Sequence, residues 1–385
     1  MDTIGVITLI FLPITQTFIY DEITAIKNYN VIALTLNRQN ESCFPYKKLY
    51  VAKSDITAIR EFSHIIKKEK IKLLHFQFGT SALYLLGLKM ISNLPVVVTF
   101  HGFDASYELK NNYTLNKYRE KLFPKVDHVI TVSQKLKNNL VNAGCPEHKI
   151  TVLSGGIDVE KFSYMPRKLN EKEPVKILCV ARLTEKKGLE YLIESFAMVA
   201  KERPDTELLI VGQGELKEKL EYKISELGLK DKARIMDYVP HDEIPNIMHK
   251  HHIFCLPSVT SSQGDEEGLP TVLKEALATG MPVVSTYHSG IPELVQDGKS
   301  GFLVAERDVK NLTDRLIYLI DHPEIWEEMG QHGRKYVVEN FSKDKQSEKL
   351  ENIYYQLLKN PRRNKGARAG KYVVYKLADR ERRRG

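Results

Sequence analysis

Apolar runs rich in valine, isoleucine and leucine recur along the first half of the chain, and polar stretches with helical periodicity separate them. These runs lie at residues 4–12, 30–36, 71–77, 94–99, 127–132 and 150–153. Most are apolar throughout instead of alternating with polar residues, which is typical of parallel strands that helices cover on both faces. The pattern predicts a doubly wound α/β domain, in which ligands bind at the carboxyl ends of the strands.

A second series of runs begins at Val175, after a polar stretch that has two prolines and no periodicity. The runs lie at residues 175–180, 207–211, 233–236, 253–256, 283–285 and 301–304. We therefore predict two doubly wound domains, a division that also fits a length of 385 residues. The predicted segments are a first domain at 1–161, a linker at 162–174, a second domain at 175–341, a helix at 342–360 that packs back on the first domain, and a basic tail at 361–385.

The net charge of +8 is concentrated in that tail. From Pro361 onward there are ten lysine and arginine residues and two acidic residues, which leaves the rest of the chain neutral. The basic balance therefore does not predict nucleic-acid binding. Two interpretations of the tail stay open: a disordered, solubilising end, or a contact with an anionic membrane surface.

The first apolar run is too short to span a membrane, which needs about 20 residues, and it has neither the basic start nor the cleavage site of a signal peptide. The four cysteines are widely spaced, without the pairing typical of a zinc site, and we expect them to be buried free thiols. We therefore expect a cytoplasmic protein, with the inner face of the cell membrane as an alternative position.

The strongest candidate site lies between Gln263 and Gly290. Glu267 precedes Gly268-Leu269-Pro270, and we expect Pro270 to be the first residue of a helix that carries Glu275. The N–H groups of Gly268 and Leu269 would then lie at the positive end of the helix dipole, which suits a phosphate group. The two carboxylates could accept hydrogen bonds from ribose or sugar hydroxyls, whereas a capped surface helix is the plain alternative.

Two cations follow the first strand of the second domain. Arg182 and Lys187 lie at a strand end before a predicted helix, where a planar guanidinium and a compact ammonium together suit a pyrophosphate. A charged surface turn is the alternative. We expect Glu185 and Lys186, which lie between them, to be solvated.

Other strand ends carry weaker signals. Gly212 and Gly214 follow the next strand, where either a ligand contact or a tight turn explains them. His101 follows a strand of the first domain and could hold a hydroxyl or stabilise charge, although a structural role is the usual one for a single histidine. Gly155 and Gly156 allow a close approach of the backbone near the linker.

Four segments then show a resemblance to a known family. In order along residues 154–304 they read ARLTEKKG, VGQGE, EEGLPTVLKEALATGMPVVST and SGIPELVQDGKSGFLV. Together they resemble the donor half of a retaining glycosyltransferase of family four, with the GT-B fold. HFQFGTSALYLLG and VVVTFHGFDAS, in the first half, resemble the subgroup that builds extracellular and capsular polysaccharides.

The resemblance implies two Rossmann-like domains facing across a cleft, the first binding the acceptor and the second the donor. It also implies roles for individual residues. Arg182 and Lys187 match the pair that binds the diphosphate, and Glu275 matches the glutamate that binds the ribose. Glu267 matches the glutamate that faces the donor sugar, and His101 matches the histidine near the reacting sugar.

This chain departs from the family after its first strand. Many relatives have a Gly-Gly loop there, whereas this chain reads FLPITQTF and has no glycine. We therefore expect this loop to work at the acceptor. The candidate acceptor or cleft residues are Thr15, Gln16, Thr17, Asp104, Gly155 and Gly156.

The predicted reaction transfers a glycosyl group, with retention, from a nucleotide diphosphate sugar to a hydroxyl of a saccharide or lipid-linked saccharide. The resemblance favours UDP as the nucleotide and implies that the chemistry needs no metal or other cofactor. Two alternatives stay open: a sugar-nucleotide epimerase of the same fold, and a non-catalytic nucleotide-sugar-binding protein. The intact set of Arg182, Lys187, Glu267 and Glu275 argues against the second.

Overall fold

The structure is a computed structural model that describes residues 1–13 and 16–359. It divides into two compact units. The first unit consists of residues 1–156 together with the segment that begins at Lys343, and the second consists of residues 157–342. Thr15 and the predicted basic tail lie outside the described residues.

The first unit is built on a parallel sheet of seven strands in the order β3-β2-β1-β4-β5-β6-β7. The strands are β1 (Thr3–Phe11), β2 (Asn30–Arg38), β3 (Leu49–Val51), β4 (Ile71–Gln77), β5 (Val96–Phe100), β6 (His128–Thr131) and β7 (Ile150–Val152). The strand order reverses between β1 and β4. In doubly wound sheets such a reversal opens a crevice at the carboxyl ends of the strands, where ligands bind.

Among the described residues of this unit, seven α-helices precede the second unit. They are α1 (Thr17–Ala25), α2 (Ala58–Lys68), α3 (Gly79–Tyr84), α4 (Gly87–Ser92), α5 (Tyr107–Lys110), α6 (Asn112–Lys117) and α7 (Gln134–Asn142). The helix α2 shows why such segments fold on the sheet. Ala58, Phe62 and Ile66 recur every four residues and are buried, so they form one apolar stripe that packs on the strands.

The second unit has a parallel sheet of six strands with the same kind of order, β10-β9-β8-β11-β12-β13. The strands are β8 (Val175–Val180), β9 (Thr206–Val211), β10 (Ala233–Met236), β11 (Ile253–Leu256), β12 (Val283–Thr286) and β13 (Gly301–Val304). The helices are α8 (Leu189–Glu202), α9 (Lys217–Glu226), α10 (Ile244–His249), α11 (Thr271–Ala278), α12 (Val309–Asp321) and α13 (Trp326–Phe341). The reversal in this sheet lies between β8 and β11.

The loops that follow β8 and β11 touch at Gly188. This residue has a φ of 66°, and a Cβ atom built on it would lie 1.9 Å from the carbonyl oxygen of Pro257. Only glycine can occupy this position, because any side chain would collide with the backbone of the other loop. The contact holds the two loops together where the strand order reverses.

The last described helix, α14 (Lys343–Lys359), returns to the first unit and packs against α1. The carboxylate of Glu351 accepts hydrogen bonds from the backbone N–H groups of Lys27 and Asn28, at 2.6 and 2.8 Å. The hydroxyl of Tyr354 lies 2.7 Å from Nδ1 of His75, a buried side chain of β4. These polar contacts help to fix the register of α14 on the first unit.

Several details differ from the sequence-based expectation. The predicted linker 162–174 has no helix or strand, but it belongs to the second unit, and the two units divide after Gly156. The short edge strand β3 was not expected, because it has only three residues and is partly exposed. The apolar segment 81–90 predicts one helix, but the structure has two shorter helices there, α3 and α4.

The cysteines match the expectation at three of their four positions. All four cysteines are free thiols, but Cys43 is exposed, whereas the other three are buried as expected. Cys43 lies in a polar turn before β3, where no apolar run draws it into the core.

In the described part of the chain, no helix is long and apolar enough to cross a membrane.

The contacts of Glu351 lead to a first prediction. Replacing Glu351 by alanine leaves two backbone N–H groups without their acceptor, a loss of about 2 kcal/mol. We expect amide hydrogen exchange in α14 to become about 10- to 100-fold faster, as measured by mass spectrometry. Glu348→Ala is the matched control because Glu348 is exposed on the same helix. Equal exchange rates in the two variants would show that Glu351 does not anchor the helix.

Candidate functional site

The predicted donor-binding residues of the second unit lie on loops at the carboxyl ends of its strands. Arg182 and Lys187 follow β8, and Gly212 and Gly214 follow β9. Glu267 lies on the loop after β11, together with Gly268, Leu269 and Pro270, and Glu275 lies on α11. Because β8 and β11 are neighbours, the reversal of strand order brings the loops of Lys187 and Glu267 side by side.

Lys187 and Glu267 form an ion pair with 2.9 Å between Nζ and Oε1. Both side chains are largely removed from solvent, with 11% and 9% of their surface exposed. Burial by itself would raise the pKa of Glu267, but the charges of Lys187 and Lys186 outweigh it and lower the pKa to about 2. Burial lowers the pKa of Lys187, and the carboxylate of Glu267 opposes that shift.

Lys186 makes a second ion pair with the same loop. Its Nζ lies 3.0 Å from Oδ2 of Asp265, and the residue is only 8% exposed. The expectation that Lys186 is solvated was therefore wrong. Glu185, although exposed, accepts hydrogen bonds from the backbone and the hydroxyl of Ser262. All three residues of this turn contact the loop after β11, because the close contact at Gly188 brings that loop within reach.

The backbone of Glu267 is held from two sides. Its N–H donates to Nε2 of His288 at 3.0 Å, and its carbonyl accepts from the hydroxyl of Ser289 at 2.6 Å. Because Nε2 accepts, the proton of neutral His288 lies on Nδ1, which is 2.6 Å from Oε1 of Glu306. Sequence reasoning missed His288 and Glu306. The available signal was the position of His288 directly before the Ser-Gly-Ile-Pro turn.

The glycines after β9 lie against the loop that carries Arg182. A Cβ atom on Gly212 would lie 1.8 Å from the carbonyl oxygen of Ala181, at a φ of 153°. The N–H of Leu183 donates to the carbonyl of Gln213 at 2.8 Å. The packing of one loop on the other thus accounts for a glycine at position 212, and a donor contact at 212 or 214 stays a prediction.

The helix α11 begins at Thr271, one residue later than expected. Pro270 is its N-cap, and Gly268 and Leu269 before it are buried. No side chain in the described part of the chain caps this N-terminus. The positive end of the helix dipole thus lies next to Glu267, beside the cationic turn formed by Lys186 and Lys187.

Glu275 is 4% exposed and takes part in a separate chain of hydrogen bonds. His241 lies 2.8 Å from Oε1 of Glu275 through Nε2, and 2.9 Å from Nζ of Lys161 through Nδ1. Because an ammonium only donates, Nδ1 must accept, and Nε2–H donates to Glu275. Sequence reasoning missed His241 and Lys161, which are 34 and 114 residues away from Glu275 along the chain.

In the first unit, His101 follows β5 and lies close to the position where that sheet reverses its order. Its Nε2 is 2.7 Å from Oε1 of Gln77, the last residue of β4. The ring lies between those of Phe18 and Phe78, with centroids 4.8 and 4.7 Å away. His101 is therefore held in one orientation by a polar contact at its edge and two aromatic contacts.

Asp104 does not face a ligand, which corrects the expectation that it is an acceptor or cleft residue. It is completely buried, and its oxygens accept hydrogen bonds from the N–H groups of Gly79, His101 and Gly102 at 2.8, 2.9 and 3.2 Å. Burial raises the pKa of Asp104 to about 6, although these backbone hydrogen bonds oppose the shift. Asp104 thus ties the loop after β5 to the start of α3.

The remaining acceptor candidates lie at the same edge of the first sheet. Gln16 and Thr17 form the start of α1, and the Oε1 atom of Gln16 is buried without a hydrogen bond among the described residues. A Cβ atom on Gly155 would lie 3.8 Å from Phe18, the residue that packs on His101. Gly156 is the last residue of this segment before the second unit. Their roles stay predictions.

No group of three or more His, Cys, Asp or Glu residues within 1–13 and 16–359 is arranged to hold a metal ion. The chemically distinctive part of the second unit is instead a set of buried cations, a buried carboxylate and an uncapped helix N-terminus. Such a set can bind a phosphorylated ligand that also has hydroxyl groups.

Two known protein families match parts of this chain. Residues 161–336 match the family described as glycosyl transferases group 1, and residues 30–161 match glycosyltransferase family 4. The amylovoran biosynthesis glycosyltransferase AmsK of Erwinia amylovora is 38% identical over 253 residues, which are 65% of this chain and 61% of AmsK. The chain thus spans about three fifths of the length of that relative.

Two further proteins extend the comparison over more of the chain. A GDP-mannose-dependent α-(1-6)-phosphatidylinositol monomannoside mannosyltransferase of Mycolicibacterium smegmatis is 30% identical, covering 69% of this chain and 72% of that protein. The crystal structure of Anabaena Alr3699/HepE in complex with UDP and glucose superposes with a TM-score of 0.78 at 16% identity, covering 92% of this chain and all of the other. The prediction of two doubly wound Rossmann-like domains is confirmed, and the chain belongs to glycosyltransferase family 4 and has the GT-B fold.

Proposed function

We propose that this chain is a retaining glycosyltransferase that moves a sugar from a nucleotide diphosphate sugar to a hydroxyl of a saccharide or lipid-linked saccharide, in the synthesis of a cell-surface polysaccharide. The observation that carries the proposal is the buried ion pair of Lys187 and Glu267, where the strand order of the second unit reverses. The relatives support the reaction class, since AmsK is named for amylovoran biosynthesis.

Charge stabilisation of the leaving group is the central step of this proposal. When the bond between the sugar C1 and the diphosphate oxygen breaks, negative charge gathers on the diphosphate. Lys187, Arg182 and the N-terminus of α11 would stabilise that charge, and they would do so most strongly in the transition state. Glu267 would keep Lys187 oriented and accept hydrogen bonds from the hydroxyls of the donor sugar.

Glu275 is proposed to bind the ribose of the nucleotide. Its carboxylate accepts one hydrogen bond from His241, and its remaining lone pairs can accept from ribose hydroxyls. His241 in turn would hold the carboxylate in place. Because Gly212 and Gly214 have no side chain, the loop after β9 can pack closely against the loop of Arg182. This close packing would leave space above the two loops for the nucleotide.

Retention is proposed to arise from a reaction on one face of the sugar. The acceptor oxygen forms its bond to C1 on the side from which the diphosphate departs, and the departing phosphate oxygen takes the proton of the acceptor hydroxyl. His101 is proposed to contact the reacting sugar, and Gln16, Thr17 and Gly155 the acceptor. No metal or cofactor has a role in these steps.

The donor is the first point to test. UDP is our proposed nucleotide, supported by HepE with bound UDP, and GDP is the rival because the Mycolicibacterium relative is named for GDP-mannose. In a thermal-shift panel of nucleotide sugars we expect one UDP-sugar to stabilise the protein. A ligand at about 100 times its Kd adds about 2.7 kcal/mol to the free energy of unfolding.

Mass spectrometry of the reaction mixture then separates the proposed functions. We expect the identified donor to lose its sugar to an added saccharide acceptor. Conversion to a different nucleotide sugar without an acceptor would indicate an epimerase. Binding without turnover against every acceptor would indicate a non-catalytic protein.

The role of Lys187 leads to a quantitative prediction. Lys187→Ala removes a buried cation from the departing diphosphate, and we expect kcat/KM for the donor to fall by about 10²–10³-fold. Lys201→Ala is the control, because Lys201 is an exposed lysine at the far end of α8. Steady-state assays of released nucleoside diphosphate measure both. Equal kcat/KM values in the two variants would show that Lys187 does not act on the departing diphosphate.

The basic C-terminal end leads to a further prediction about the acceptor. Residues 361–385 carry a net charge of +8, which would attract the chain to an anionic membrane that holds a lipid-linked acceptor. We expect removal of the residues after Asn360 to reduce sedimentation with vesicles of phosphatidylglycerol at least tenfold. Vesicles of phosphatidylcholine are the control. Undiminished binding to the anionic vesicles would contradict the membrane role.

A further inference from the structure

In the first unit, hydrogen bonds link three polar side chains in a row, from Glu22 on α1 through Gln77 to His101. Gln77 occupies the centre of this row. The amide nitrogen of Gln77 donates to Oε1 of Glu22 at 2.6 Å, and its amide oxygen is 2.7 Å from Nε2 of His101. Nothing in the sequence marked Gln77 or Glu22 as functional, because the three residues are separated by 55 and 24 positions.

The register of the sheet explains why these residues meet. Gln77 on β4 pairs with Thr99 on β5, and His101 lies two positions beyond Thr99. Residues two positions apart project to the same side of a strand, so Gln77 and His101 can approach each other. Glu22 comes from α1, which follows the neighbouring strand β1. The three residues thus converge where the strand order reverses.

The charge of Glu22 decides how the amide of Gln77 is turned. An ionised carboxylate only accepts hydrogen bonds, so the amide N–H group must face Glu22 and the amide oxygen must face His101. The oxygen can only accept, and therefore Nε2 of His101 has to carry a proton. The carboxylate thereby sets the tautomer of a histidine that it does not touch.

We propose that Glu22 and Gln77 are positioning residues that fix both the orientation and the tautomer of His101. The proposal deepens the function given above, and its catalytic meaning rests on His101 acting at the reacting sugar. The geometry of Glu22, Gln77 and His101 does not depend on that assignment. The two claims can therefore fail separately.

The surroundings of Glu22 support a sensitivity to pH. Its side chain is 17% exposed, and burial raises its pKa to about 7, although the hydrogen bond from Gln77 opposes the shift. The titratable groups that face it are His75 on β4, 3.9 Å away, and Tyr354 on α14. Burial lowers the pKa of His75 to about 3, so His75 stays neutral while Glu22 titrates.

Protonation of Glu22 removes the constraint. A protonated carboxyl group can donate as well as accept, so the amide of Gln77 is free to turn over and offer its N–H group to His101. The orientation is therefore fixed above about pH 7 and relaxes as the pH falls below it. A direct hydrogen bond between Glu22 and His101 would not be needed for this coupling.

Nuclear magnetic resonance of histidines labelled with ¹⁵N tests the proposal, with the His101 signal assigned by its loss in His101→Gln. At pH 8 we expect a slowly exchanging Nε2–H signal from His101. Gln77→Met keeps the approximate shape but has no amide, and we expect the signal to exchange at least tenfold faster. Tyr354→Phe is the matched control, because it removes a buried hydrogen bond to the neighbouring His75 and leaves Glu22, Gln77 and His101 unchanged.

Glu22→Gln supplies a second readout should Gln77→Met fail to fold. In the unsubstituted protein we expect the His101 signal to change between pH 6 and 8, and in Glu22→Gln we expect this change to disappear. An unchanged Nε2–H signal in Gln77→Met, or an unaltered pH dependence in Glu22→Gln, would overturn the proposal.

Steady-state kinetics then test whether the positioning of His101 matters for catalysis. We expect Gln77→Met to lower kcat about tenfold, the typical cost of losing one hydrogen bond to a charged or polarised group, with the KM for the donor changed less than twofold. Tyr354→Phe should keep both constants. Absence of any transfer by the unsubstituted chain would contradict the proposed function, whereas the spectra would still decide the roles of Glu22 and Gln77.

Discussion

The desolvated ion pair of Lys187 and Glu267 is the constraint on which the site in the second unit depends. A buried charge is costly unless it is paired, and removing one partner exposes the full cost of the other. This explains why so many contacts converge on two loops: the glycine at 188 brings them together, Lys186 and Asp265 pair beside them, and His288 and Ser289 hold the backbone of Glu267. These contacts hold the two loops, and with them Lys187 and Glu267, in one arrangement.

The two units share a reversal of strand order but have different polar side chains at that position. Each sheet reverses its strand order at one position, and each places polar side chains there. The second unit uses full charges, as suits a phosphorylated ligand. The first unit uses a histidine, an amide and a carboxylate whose pKa lies near neutrality. Such groups suit hydroxyl-rich ligands, because together they can both donate and accept hydrogen bonds.

The sheet architecture could be predicted because runs of apolar residues report burial directly. Lys187 could be selected because it follows the first apolar run of the second domain, and Glu267 because it directly precedes Gly268-Leu269-Pro270 at the start of a predicted helix. His288, Glu306, His241, Gln77 and Glu22 could not, because their roles depend on partners far away along the chain. Asp104 shows the opposite error: its charge at a strand end suggested a ligand, but its oxygens are consumed by backbone N–H groups.

The return of α14 to the first unit has a consequence for synthesis on the ribosome. The second unit is one continuous segment, whereas the first is completed only when Glu351 and Tyr354 reach α1 and β4. Domains generally fold as units, in the order in which they leave the ribosome. Here, however, the unit that begins the chain is the last to acquire all of its contacts. A chain interrupted before residue 343 would therefore hold a complete second unit and an incomplete first one.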